Sequence, residues 1–309
     1  MSKKILIVDD LHPIFKARAA AMGYLVDDRP NISREETIAT IADYEGIAVR
    51  TKFNIDQEIF NAAPKLEFVA RAGAGLDNID VDMANQRGIR LLAANEGNMD
   101  AVGEHAVGLL LSLMNNFRRA DLQVRNGIWD REGNRGYELK DKTVGIIGYG
   151  FMGRSFARKL SGFGVKVLAY DKYKTNFSDA YAQEAAMEEI VKHCDVLSLH
   201  IPLTKETRQM VNEEYFFHFK KPIFLINTAR GEIVNTQAVL NNIANGKILG
   251  AGLDVLEKEK FPALAEQQWY DALRTNEKVI LTPHIGGWTF DSYRKISEVL
   301  AQKLEEINR

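Results

Sequence analysis

The sequence has one cysteine, Cys194, which excludes an internal disulfide and fits a reducing cytoplasm. It has almost no net charge, −2 over 309 residues, where a nucleic-acid binder would carry a strong basic excess. It lacks a long apolar run. The best stretch, Ala106 to Met114, falls far short of the roughly 20 residues that a membrane span needs. The run near Met1 is too short for a secretory signal. No repeat or low-complexity tract is visible. Chemical signatures are missing as well. His12, His105, His193, His200 and His218 show no metal-ligand spacing, and no metal is expected. No serine sits in a Gly-x-Ser-x-Gly elbow and no Walker loop occurs, which leaves a metal or serine hydrolase with little support. What remains is a soluble, cytoplasmic protein whose partner is a small molecule, with neither nucleic acid nor membrane expected.

What is present is alternation. Short apolar runs at Ile5–Val8, Gly46–Val49, Glu67–Ala70 and Arg90–Leu92 read as strands with helical segments between them. A long helix is expected over about 100–124, with Val102, Ala106, Leu109, Leu110, Leu113 and Phe117 on one face. A second series follows: Val144–Ile147, Lys166–Tyr170, Val196–Leu199, Ile223–Ile226, Gly250–Leu253 and Val279–Leu281. The pattern implies an α/β chain with two doubly wound parallel-sheet domains. The closing helix, Phe290 to Asn308, has no strand left to pair with in the second series and should return to the first. The expected domains are therefore 1–95 with 285–309, and 96–284. The opening Lys4 to Asp10 also suits a phospho-receiver domain, but such a domain needs an aspartate where the third strand ends, and here Arg50 stands.

Gly148-Tyr149-Gly150-Phe151-Met152-Gly153 follows one strand of the second series and opens a helix. In that context the three glycines serve a tight turn, close approach of a pyrophosphate and helix–strand packing, and the amides of Phe151 and Met152 meet the phosphates. Asp171 ends the next strand, about 20 residues on, where it would bind ribose hydroxyls and repel a 2′-phosphate. The cofactor predicted is NAD in a Rossmann-type domain, although Lys172 and Lys174 nearby speak for NADP.

Further motifs follow in order: Arg71-Ala72-Gly73-Ala74-Gly75-Leu76-Asp77-Asn78-Ile79-Asp80, Gly103-Glu104-His105, His200-Ile201-Pro202-Leu203-Thr204, Asn227-Thr228-Ala229-Arg230-Gly231, Gly252-Leu253-Asp254-Val255 and Thr282-Pro283-His284-Ile285-Gly286-Gly287. With these the sequence resembles the D-isomer-specific 2-hydroxyacid dehydrogenases over nearly its whole length. The resemblance implies two domains flanking a cleft, a long helix supporting a homodimer, and the last helix rejoining the first domain. Whether dimers pair further into tetramers is left open. It implies a catalytic trio of Arg230, Glu259 and His284, with Glu257 as a competitor for the carboxylate and Lys260 where the family usually has proline. It also implies cofactor contacts at His200, Pro202, Thr207, Thr228, Ala229, Asp254, Gly286 and Gly287. Trp288 stands where the family often has a small residue and would narrow the pocket. A non-catalytic, NADH-sensing corepressor of the same fold is the alternative of another class.

Two expected strands end in arginine, Arg50 and Arg71, so both charges should emerge at one rim of the first sheet, beside the backbone of Ala74 and Gly75. Arg131 would join them after the long helix, from the same chain or a dimer partner. Three arginines exceed what a monocarboxylate requires and suit a phosphate, so a phosphorylated 2-hydroxy acid is the expected substrate. The sequence stops at Arg309, directly after the closing helix, so no appended regulatory domain is expected.

Overall fold

The computed structural model describes residues 2–308, and Met1 and Arg309 lie outside the described residues. The chain forms two compact units: unit 1 runs to Met99 and resumes at Trp288, and unit 2 is Asp100–Gly287.

Unit 1 is built on five parallel strands, β1 (Lys4–Ile7), β2 (Leu25–Asp28), β3 (Gly46–Val49), β4 (Phe68–Arg71) and β5 (Arg90–Ala93), in the order β2-β1-β3-β4-β5. This is the flavodoxin-like order, with its switch point between β1 and β3. β3 is a continuous apolar run buried along its whole length, as a central parallel strand should be. The sequence reading missed β2, an edge strand with exposed Leu25 and two aspartates, because it lacks the apolar run that marks the others. The closing helix, Phe290–Asn308, packs in this unit. Its Ile296, Leu300, Ala301 and Leu304 share a core with Phe15, Phe68 and Leu92. Gly97 permits the close approach, since a Cβ there would lie 2.5 Å from the Ile296 Cα.

Unit 2 holds seven parallel strands: β6 (Thr143–Ile147), β7 (Lys166–Tyr170), β8 (Gln183–Glu184), β9 (Val196–Leu199), β10 (Ile223–Asn227), β11 (Ile248–Leu253) and β12 (Val279–Leu281). Their order is β12-β11-β10-β9-β6-β7-β8, so the switch point lies between β6 and β9. β8, two residues at the sheet edge, was also missed.

One expectation needs correction. The long helix is two helices, Asn95–Met114 and Phe117–Arg125, broken where Asn116 adopts a left-handed conformation, φ 53°. Asparagine tolerates that region better than most residues, and the Asn115-Asn116 pair was the overlooked signal. Phe117, expected on the apolar face, is exposed, and the second helix buries no residue. Among the described residues no helix is long and apolar enough to cross a membrane.

Candidate active site

In open α/β sheets ligands bind beyond the carboxyl ends of the strands, and the predicted residues of unit 2 stand there. β12 ends at Leu281, and Thr282-Pro283 leads to His284, whose φ of 55° is left-handed. A non-glycine residue holds that conformation at a cost of about 1–3 kcal/mol, so the surroundings must impose it.

Asp254, just beyond β11, does so. Its buried carboxylate accepts hydrogen bonds from Thr282 Oγ1 at 2.6 Å, the Ile285 amide at 2.9 Å and the Gly286 amide at 2.8 Å. Its carbonyl accepts the His284 amide at 2.8 Å. His105, on helix Asn95–Met114, completes the cluster, with Nε2 2.9 Å from Thr282 Oγ1 and 3.4 Å from the Asp254 carboxylate. Burial opposes ionisation of Asp254, but these donors outweigh it and hold its pKa below the usual carboxylate value. A Cβ on Gly286 would fall 2.8 Å from Asp254 Oδ2, so the loop admits little beyond glycine there. Asp254 was predicted to touch the cofactor. Its buried side chain braces the histidine loop.

His284 Nδ1 lies 2.9 Å from Glu259 Oε2. The competitor Glu257 is engaged elsewhere, accepting from Gln209 Nε2 and the Thr236 amide. The hydrogen bond that His284 donates to Glu259 raises the His284 pKa above its ordinary value, while burial and the charge of Arg230 pull the other way. The folded value being the raised one, the ion pair contributes its stability in full below the unfolded pKa of about 6.5 and loses it as pH climbs through the raised value. Arg230 follows β10 on a turn fixed by buried Asn227, whose side chain donates to the Arg230 carbonyl and accepts from the Ala229 amide, both at 3.0 Å. That role for Asn227 was not foreseen.

The glycine loop fits a dinucleotide. Gly148 has φ 93°, and a Cβ there would lie 2.4 Å from the His200 carbonyl oxygen. Gly153 sits against the Gly148 carbonyl, where a Cβ would come to 2.0 Å, while the space at Gly150 is open. Gly150 caps helix Phe151–Leu160 without a side chain, so the amides of Phe151 and Met152 face no competing cap. Asp171 accepts from the amides of Tyr149 at 2.9 Å and Tyr173 at 3.0 Å, which braces the loop. A carboxylate has about four acceptor sites, so capacity for ribose hydroxyls remains. The lysines that spoke for NADP are occupied: Lys172 pairs with Glu206, and Lys174 donates to the Tyr149 carbonyl at 2.7 Å.

Of the remaining positions, Thr207 caps the loop after β9 by donating to the Pro202 carbonyl at 2.8 Å. Thr228 Oγ1 is buried without a hydrogen-bond partner in the protein, which fits a group that hydrogen-bonds to a cofactor, and Ala229 beside it is buried. Gly287 ends unit 2. The His200 ring is buried against Phe156, with Nε2 2.8 Å from Ser198 Oγ, and burial lowers its pKa to about 3. The backbone carbonyl of His200 faces the glycine loop at Gly148.

In unit 1, β3 and β4 are hydrogen-bonded neighbours, with Val49 opposite Arg71, so Arg50 and Arg71 share one rim. Buried Asp9 shapes it, because Oδ2 accepts the successive amides of Arg50, Thr51 and Lys52 at 3.0, 2.8 and 3.0 Å. The Arg71 guanidinium lies over Gly73, where a Cβ would meet Nη1 at 1.6 Å. Ala74 and Gly75 follow, half-buried. The Arg50 guanidinium lies 4.1 Å above the Trp288 ring, and its Nη1 is buried without a hydrogen-bond partner. Arg131 is exposed in unit 2, in the turn after helix Phe117–Arg125.

Residues 107–286 match the family model described as D-isomer specific 2-hydroxyacid dehydrogenase, NAD binding domain. The chain is 35% identical over 292 residues to a glyoxylate reductase of Pyrococcus furiosus, covering 92% of this chain and 85% of that protein. It is 34% identical over 304 residues to D-3-phosphoglycerate dehydrogenase of Rattus norvegicus, covering 97% of this chain but only 55% of that longer protein. A solved D-lactate dehydrogenase from Aquifex aeolicus, complexed with NAD and lactic acid, superposes with a TM-score of 0.80 at 27% identity, covering 99% of this chain and 95% of that one.

Loss of the Asp171 carboxylate should weaken NADH binding about 10- to 100-fold, the worth of hydrogen bonds to a charged group, and narrow discrimination against NADPH. Fluorescence titration of Asp171→Ala with both cofactors checks this, and an unchanged NADH Kd would remove Asp171 from the site. With the match over more than half its length and with these relatives, the chain belongs to the NAD-dependent, D-isomer-specific 2-hydroxyacid dehydrogenases.

Proposed function

We propose that this dehydrogenase oxidises D-3-phosphoglycerate to 3-phosphohydroxypyruvate, the step that opens serine synthesis. The observation that carries this reading is the arginine rim of unit 1, where Arg50 and Arg71 emerge from adjacent strands and Arg50 Nη1 is buried without a protein partner. A buried guanidinium N–H left unmatched is costly, and paired charge-assisted bonds to a phosphate would satisfy it. Glyoxylate or hydroxypyruvate reduction is the second reading, favoured by the likeness to the Pyrococcus glyoxylate reductase over most of both chains. Such small acids leave Arg50 without a task.

In the mechanism proposed, His284 is the general base. Glu259 holds Nδ1, which leaves Nε2 to take the proton of the C2 hydroxyl and fixes the tautomer. Arg230, permanently charged, grips the C1 carboxylate and stabilises charge on the C2 oxygen. Gly148, Gly150, Gly153, the amides of Phe151 and Met152, and Asp171 would hold the cofactor. When bound, NAD accepts the hydride from C2. In the reverse direction the imidazolium returns the proton, so the raised pKa of His284 keeps the acid form available to higher pH. The exposed Phe117, Leu122, Ile128 and Trp129 support a homodimer, since exposed apolar residues clustered in one segment mark interaction surfaces. In that assembly Arg131 would serve a phosphate site.

Two measurements test this. Steady-state NADH oxidation with 3-phosphohydroxypyruvate, hydroxypyruvate and glyoxylate should show a large preference for the phosphorylated acid, and Arg50→Ala should erode it by raising KM about tenfold or more. Equal rates with unphosphorylated acids would discard the phosphoglycerate assignment and keep the dehydrogenase. The pH profile of keto-acid reduction should fall as His284 loses its proton. Glu259→Gln should move that fall to lower pH, and an unmoved profile would exclude Glu259 as the partner of the base.

A further inference from the structure

Unit 1 carries a stack of side chains that the catalytic scheme does not use. The Arg50 guanidinium carbon lies 4.1 Å from the centre of the Trp288 ring. Trp288 in turn meets Tyr293 edge-on, with centroids 5.8 Å apart. Tyr293 is fixed twice, by donating to Asp10 Oδ1 at 2.8 Å and by an edge contact with His12 at 5.4 Å. The backbone of Arg50 is independently clamped by Asp9. Main chain and side chain of Arg50 are thus both held, by separate groups.

We propose that Trp288 is a positioning and specificity-determining residue: its indole face holds the Arg50 guanidinium flat and turns its in-plane N–H donors toward the distal anion of the substrate. The inference rests on the phosphate reading of Arg50. Its physical basis is that a guanidinium stacked on an aromatic ring is bound through its face, which leaves every N–H on its edge to donate, two of them in parallel to one phosphate or carboxylate. A free arginine side chain loses rotamer freedom when it binds an anion. One already seated on an indole has lost most of it before the substrate arrives. The buried Nη1 has no hydrogen-bond partner in the protein and so is a donor still to be matched. The bulk of Trp288, which from sequence alone suggested only a narrower pocket, is accounted for by the flat surface it offers.

The test is a double-mutant cycle on the full-length enzyme. KM and kcat are measured for 3-phosphohydroxypyruvate and for glyoxylate with wild type, Trp288→Ala, Trp288→Phe, Arg50→Ala and the Arg50→Ala/Trp288→Ala pair. A cation–π contact of this kind changes an equilibrium by about 2- to 30-fold. Trp288→Ala should therefore raise KM for the phosphorylated acid, relative to that for glyoxylate, by about tenfold with little change in kcat. Trp288→Phe, which keeps an aromatic face, should recover most of the loss. In the Arg50→Ala background the Trp288 change should add nothing. A Trp288→Ala effect that is equal for both acids, or that persists in full without Arg50, overturns the inference while the phosphate site stands. An Arg50→Ala enzyme with unaltered KM for the phosphorylated acid overturns the phosphate reading and the inference with it. Thermal unfolding of each variant shows whether a loss comes from misfolding, and the conservative Phe variant carries the test if Trp288→Ala proves unstable.

Discussion

The site depends on one buried carboxylate. Asp254 gathers Thr282, Ile285 and Gly286 from the segment that follows β12, with His105 behind them, and its carbonyl takes the His284 amide. Local preference alone seldom places a histidine at φ 55°. The strain is offset by several hydrogen bonds that a helix, a strand end and a loop all supply to the same anion. An ionised group so deeply buried survives only because each oxygen is matched, and the matched donors are the ones that aim the loop. His284 is thereby set where Glu259 meets its Nδ1.

Unit 1 uses the same device. Asp9 is buried at the end of β1, and its carboxylate collects three successive amides after β3. In both units an acidic side chain at one strand end ties down the loop leaving another. Functional side chains are thus mounted on backbone that anions hold rigid.

Much of the fold was legible because buried parallel strands are continuous apolar runs: β3, β9 and β10 announce themselves. The strands missed, β2 and β8, are edge elements with polar, exposed residues, so burial left no mark on them. The break at Asn116 was signalled only by a local pair of asparagines, which periodicity smooths over. Among site residues, the glycine loop and the positions of Arg230 and His284 could be named from motif and strand-end context. Glu259 and Glu257 lie in one charged stretch, so only the family pattern, five residues past Asp254, favoured Glu259 in the sequence. The structure distinguishes them, since only Glu259 reaches His284 while Glu257 caps other backbone. The clamps made by Asp9 and Asp254, and the seat of Arg50 on Trp288, join residues distant in sequence. No local pattern encodes such pairs.

The central claim is that Asp254 sets the state of His284. Proton–carbon NMR titration of the His284 imidazole, assigned by its loss in His284→Gln, measures that directly in wild type and in Asp254→Asn. The account predicts a pKa above the ordinary histidine value in wild type, falling in the variant as the loop loosens and the contact with Glu259 is lost. A His284 resonance that titrates identically in both proteins would contradict it.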